Sequence, residues 1–151
     1  ATYFNTKLSD FVYSIIINGL ESIQVALKSY AQRFDLTARD EGIRKVLEVA
    51  EEMYARDIKI DRADLYKSHA SKFILSEKEG YILPPLSSVD NVSEAMAIDI
   101  VNERDKGEFI SIEDLNKRTA VNKNALESLK NFGIIDGLGE KNQMSLFDGI
   151  F

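Results

Sequence analysis

Hydrophobic positions recur along this 151-residue chain first at the helical period and then at the strand period. Near the start, Phe11, Val12, Tyr13, Ile15, Ile16 and Ile17, opened by Ser9 or Asp10 and closed by Asn18-Gly19, predict a helix over 10–18. Ile23, Ala26, Leu27 and Tyr30 share one face and predict a second over 21–32. Thr37 followed by Asp40 and Glu41 is a helix-start signal, and Ile43, Val46, Leu47, Ala50 and Met53 continue it as a third over 39–56. The period then shortens: Ile58 and Ile60 alternate with Lys59 and Asp61, and Phe73-Ile74-Leu75 and Tyr81-Ile82-Leu83 flank the turn-like Glu77-Lys78-Glu79-Gly80. These residues predict short strands with a hairpin at the second turn. Pro84-Pro85 stops any helix and marks a boundary. Beyond it, three short helices are expected over 93–103, 112–118 behind Ser111, and 123–131 behind Asn122, the last stopped by Gly133. From Gly137 the chain turns polar, then ends in an apolar cluster, Met144, Leu146, Phe147, Ile150 and Phe151, a tail expected to be flexible and to seek a partner.

Composition narrows the function classes. At 44% hydrophobic and 29% charged, the chain is an ordinary globular sequence, and its longest apolar run, Ile15-Ile16-Ile17, is too short to span a bilayer, so no membrane partner is expected. With no cysteine, disulfides, thiol catalysis and cysteine-based zinc sites are excluded, which suits a reducing, cytoplasmic setting. The start at Ala1 suggests a piece of a longer chain. The net charge of −6 is concentrated in residues 81–151, which carry −5, the wrong sign for holding nucleic acid by electrostatics alone. His69 is the single histidine, so a His-based metal site is excluded, and Asp57, Asp61 and Asp64 sit where aspartate is favoured for bonding turn backbone. Tyr3, Phe4, Tyr13, Tyr30 and Tyr54 lack interleaved basic residues and read as core and interface aromatics.

The terminal run Asn142-Gln143-Met144-Ser145-Leu146-Phe147, preceded by Gly107-Glu108-Phe109-Ile110-Ser111 and Glu113-Asp114-Leu115, resembles the C-terminus of the PolC type of bacterial DNA polymerase III alpha subunit. Leu83-Pro84-Pro85, Asp64-Leu65-Tyr66-Lys67-Ser68, the Val46-Leu47-Glu48 helix and the opening Tyr3-Phe4 extend the resemblance over essentially the whole chain. It implies a mainly α fold: C-terminal helices of the polymerase fingers over 1–68, a helix-hairpin-helix duplex-binding region over 69–140 with a short β-hairpin, and a sliding-clamp-binding tail over 141–151. The implied partners are primer-template duplex, the sliding clamp and the other polymerase III holoenzyme subunits. Catalysis in the parent, on two metal ions expected to be Mg2+, belongs to carboxylates upstream, so neither catalytic residue nor cofactor is expected here.

The resemblance assigns the tail's role to Gln143, Met144, Ser145, Leu146 and Phe147, which fit a Gln-x-x-Leu-Phe clamp pattern. Leu146 and Phe147 would enter an apolar cleft, each worth roughly 1.5–3 kcal/mol when buried, with the Gln143 amide bonding at its mouth. The alternative is that these side chains fold back on the core. In the first hairpin, Asn91-Val92-Ser93 stand where a Gly-apolar-Gly turn usually lets backbone amides approach a phosphate. Asn91 tolerates the left-handed conformation and Ser93 caps a helix, but Glu94 follows, so a hairpin kept for packing is equally compatible. The second hairpin, with Asn122, Lys123 and Asn124 and the nearby Lys117 and Arg118, is chemically better suited to a phosphate. A protein-binding adaptor using both hairpins only for packing is the alternative function.

Overall fold

The structure, a computed structural model, describes residues 1–140. Among them are seven α-helices and a three-stranded sheet: α1 Thr2–Asn5, α2 Tyr13–Ile16, α3 Leu20–Ala31, α4 Ala38–Ala55, β1 Lys59–Ile60, β2 Ile74–Leu75, β3 Tyr81–Leu83, α5 Glu94–Lys106, α6 Ile112–Arg118 and α7 Lys123–Asn131. The mainly α architecture with a short β-hairpin is therefore as expected.

Local chemistry sets most boundaries. A capping box starts α4: the Thr37 hydroxyl accepts from Asp40 N (3.1 Å), and the Asp40 carboxylate accepts from Thr37 N (3.0 Å), satisfying two end amides at once. Hydrogen bonding to the Asp40 carboxylate, first from the Thr37 amide and then from the Thr37 hydroxyl, holds that carboxyl below the usual range. At its other end the chain passes through a left-handed residue, Asp57 (φ 63°), and the amides of Asp57 and Ile58 return to the carbonyls of Tyr54 and Met53. Helix α7 ends the same way with Gly133 (φ 73°), where Ile134 N donates to Leu129 O at 2.9 Å.

The N-terminal segment departs from the expected single helix over 10–18. A 3-10 turn, Leu8–Asp10, is followed by extended backbone at Phe11 and Val12, and only Tyr13–Ile16 is helical. The extended stretch allows Phe11 and Tyr13, two residues apart, both to be buried; a helix would turn them to different faces. Phe11 packs edge-on against Phe4 and Phe73, and Tyr13 against Phe132.

Strand β3 is central: it pairs antiparallel with β2, forming the expected hairpin, and parallel with β1. The core runs without interruption from α1 through the sheet and past Pro84-Pro85 to α7, joining Phe4, Leu47, Ile82, Leu86, Ile100, Leu115 and Leu129 in one cluster. Polar ties, buried or partly buried, cross the same ground. Tyr13 Oη accepts from Ala63 N at 3.0 Å, Asn5 Oδ1 accepts from Phe73 N at 2.7 Å, and Arg104 Nη1 donates to Leu65 O at 2.9 Å. The three aspartates after α4 serve backbone and turns: Asp57 supplies the left-handed turn, Asp61 Oδ1 accepts from Arg62 N, and Asp64 Oδ1 accepts from Tyr66 N and Lys67 N. His69 Nδ1 accepts from Ser71 N and Lys72 N.

Candidate nucleic-acid interface

Two hairpins lie in the C-terminal half. The first leads from the 3-10 turn Leu86–Ser88 through Val89–Val92 into α5, and the second links α6 to α7 through Thr119–Asn122. In the first, Asn91 takes the left-handed conformation (φ 67°) that asparagine tolerates. Its amide donates to the hydroxyl of buried Ser128 on α7 (3.0 Å), so the turn is pinned to the helix of the second hairpin. Val92 is buried beneath the turn. Ser93 caps α5 by accepting from Met96 N at 3.2 Å, and Asn122 caps α7 by accepting from Ala125 N at 2.9 Å. Beyond such caps, the amides of a helix's first turn have no partner within the helix, and their partial positive charge favours an anion.

The structure brings Asn91, Ser93 and Asn122 to one open groove of about 570 Å³, together with Asp90, Ser87 and, from the start of α4, Arg39. Lys123 and Asn124 are exposed in the first turn of α7, beside Asn122. Lys123 makes no ion pair among the described residues, whereas Lys117 is paired with Glu113 at 3.1 Å.

Arg118, expected beside Lys123 as a phosphate contact, is instead committed to the fold. Its guanidinium donates to the carbonyls of Glu103, Gly107 and Glu108, pairs with the carboxylates of Asp114 (3.2 Å) and Glu103 (3.5 Å), and lies over the Phe109 ring, 4.5 Å from the centroid. It gathers the end of α5 and the loop after it onto α6. The Glu103 carboxyl is held below its usual range chiefly by its bond from Lys106, with Arg118 adding to the effect. Sequence reasoning missed the inward direction of Arg118 because position on a helix end does not reveal which carbonyls another loop brings near. It missed Arg39 and Ser87 for the same reason: only the packing of α4 against the N-terminal turn carries Arg39 to the groove.

Gln143, Met144, Ser145, Leu146 and Phe147 lie outside the described residues. Among the described residues no cluster of three or more His, Asp or Glu side chains is placed to hold a metal ion, and no helix is long and apolar enough to cross a membrane.

A family model described as the helix-hairpin-helix motif matches residues 57–144, more than half of the sequence and both hairpins. The chain belongs to the helix-hairpin-helix family. The helix-hairpin-helix chain is also similar over 97% of its length to proteins named DNA polymerase III PolC-type. Identity is 46% over 148 residues with the one from Caldanaerobacter subterraneus subsp. tengcongensis, 39% over 147 residues with that of Clostridium perfringens and 35% over 148 residues with that of Bacillus subtilis. It spans about 10% of the length of each, and so matches a fragment of a PolC-type polymerase.

Proposed function

We propose that this chain is the C-terminal attachment region of a PolC-type replicative polymerase, contacting primer-template duplex through its two hairpins and docking on the sliding clamp through residues 143–147. The observation that carries the DNA part is the meeting of both hairpins at one groove: left-handed Asn91, cap Ser93 and cap Asn122 line it, with exposed Lys123 alongside. Backbone amides at two helix starts suit phosphate oxygens, which a polymerase must grip without regard to base sequence.

In this reading residues 1–68 continue the fingers, 69–140 follow the duplex, and 141–151 reach the clamp. The other holoenzyme subunits are further partners, and the working place is the cytoplasm. Nucleotidyl transfer with Mg2+ belongs to parts of the parent outside this chain, so the isolated chain is expected to be silent in primer extension. Clamp docking rests on the Gln-x-x-Leu-Phe pattern of the tail. A contact of that size is expected at about micromolar strength, which suffices when both partners are tethered to one DNA molecule.

The adaptor alternative draws on the Asn91–Ser128 bond and the inward Arg118, both of which make the hairpins useful for packing. Fluorescence anisotropy of labelled duplex across a salt series separates the two: affinity that falls with rising salt supports DNA contact, and salt-independent or absent binding supports the adaptor. For the tail, changing Leu146 and Phe147 to Ala should abolish binding to the clamp; unchanged affinity would refute the assignment.

A further inference from the structure

The first hairpin has a deficit that its own sequence does not repair. From Glu79 to Glu103 there is no Lys, Arg or His, while Asp90 lines the groove and Glu94 occupies the first turn of α5. A backbone-amide grip on phosphate set among these carboxylates needs a cation from elsewhere.

Arg39 stands in that place. It lies outside the matched residues 57–144, in the first turn of α4, yet lines the same groove as Asp90, Asn91 and Ser93. Its neighbours are consumed locally: Arg33 pairs with Asp35 and Asp40, and Arg44 with Glu41 and Glu48. Arg39 is exposed and makes no ion pair among the described residues. Helix stability does not account for it either, because a cation in a first turn opposes the helix dipole.

We propose that Arg39 is a further phosphate-binding residue that completes the first hairpin's subsite from outside the motif. The ligand is a phosphodiester oxygen of duplex DNA, and the inference rests on the DNA-contacting reading above. Arg39 supplies the charge, the hairpin supplies position, and Asp90 limits the affinity.

The test uses the full 151-residue chain and a labelled duplex, followed by anisotropy at several salt concentrations for wild type, Arg39→Gln, Arg44→Gln, Lys123→Gln and Asp90→Asn. Circular dichroism checks that each variant keeps its helicity. Arg39→Gln should bind several-fold more weakly at low salt and lower the salt slope by about one; its gap to wild type should close by about 3.5-fold for each fourfold rise in salt. Asp90→Asn should bind more tightly, and Arg44→Gln should match wild type. If Lys123→Gln weakens binding while Arg39→Gln coincides with wild type, the Arg39 inference is overturned and the DNA reading stands. If wild type shows no salt-sensitive binding, the DNA reading falls and this inference with it. Inorganic phosphate at matched ionic strength is the second arm: saturation of wild type but not Arg39→Gln, with equal duplex affinity in both, would make this a free-phosphate site and overturn the assignment to DNA.

Discussion

Replacing Arg118 by Ala should destabilise the chain far more than removal of a surface charge. The guanidinium bonds three backbone carbonyls and two carboxylates, and covers the Phe109 ring, with about a quarter of the side chain exposed. A net hydrogen bond to a charged group is worth about 1.5–3 kcal/mol, but the contacts with Gly107 and Glu108 are on the exposed side and are screened. Counting the Glu103 carbonyl and the Asp114 carboxylate as the well-made pair, and discounting for mutual dependence, gives a loss of about 3 kcal/mol. For a chain of this size that is a fall in Tm of about 6–12 °C. Arg118→Lys should recover little, since one ammonium cannot span carbonyls at Glu103, Gly107 and Glu108 while stacking on a ring. Urea unfolding followed by circular dichroism, with the m-value held as a check, measures both variants. An Arg118→Lys variant within about 0.5 kcal/mol of wild type would refute the reasoning, because a point charge would then do all that the planar fork is credited with.

Asn91→Ala should cost about 2–3 kcal/mol in the same assay, from an alanine forced to φ 67° and a buried Ser128 hydroxyl left without its donor, whereas Asn91→Gly should cost about 1 kcal/mol or less. Burial pushes the Tyr13 hydroxyl up to about 12 from its usual 10.0, so the folded chain keeps that proton after the unfolded chain has lost it. Its contribution is therefore complete below pH 10 and lost as pH rises from about 10 to 12, at most about 2.7 kcal/mol; urea midpoints across that range should fall more steeply for wild type than for Tyr13→Phe. Asp40 and Glu103, both held below their usual range, act in the opposite direction: their contribution is present above about pH 4.5 and lost on acidification below it, which an acid titration by circular dichroism should show as steeper for wild type than for Asp40→Asn.

What was legible in the sequence was what neighbours along the chain decide. Thr37, Ser93, Ser111 and Asn122 each cap the helix expected behind them, because a cap bonds an amide three residues on. The hairpin from Ile74 to Leu83 follows from alternation and its turn in the same way. The features that escaped depend on distant packing. Phe11 and Val12 are extended because Phe4 and Phe73 draw Phe11 inward while Phe132 holds Tyr13. The parallel pairing of Lys59 and Ile60 with Tyr81 and Ile82 joins strands separated by a long connection that carries no pairing signal. At the interface, the left-handed turn at Asn91 and the caps at Ser93 and Asn122 were readable. The diversion of Arg118 and the arrival of Arg39 were not, since both are set by which backbone lies within a guanidinium's reach. Part of the acidity of the second half is used within the fold: Glu103 and Asp114 pair with the largely covered Arg118, and Glu103 and Glu113 form surface pairs with Lys106 and Lys117.

Backbone amide shifts recorded by NMR while the chain is titrated with a short duplex at low salt test the hairpin interface most directly. The amides of residues 91–95 and 123–125 should move first and together, and their shifts should fade as salt is raised. Shifts confined to other surfaces, or none at these two helix starts while the duplex is bound, would contradict a helix-hairpin-helix grip on DNA.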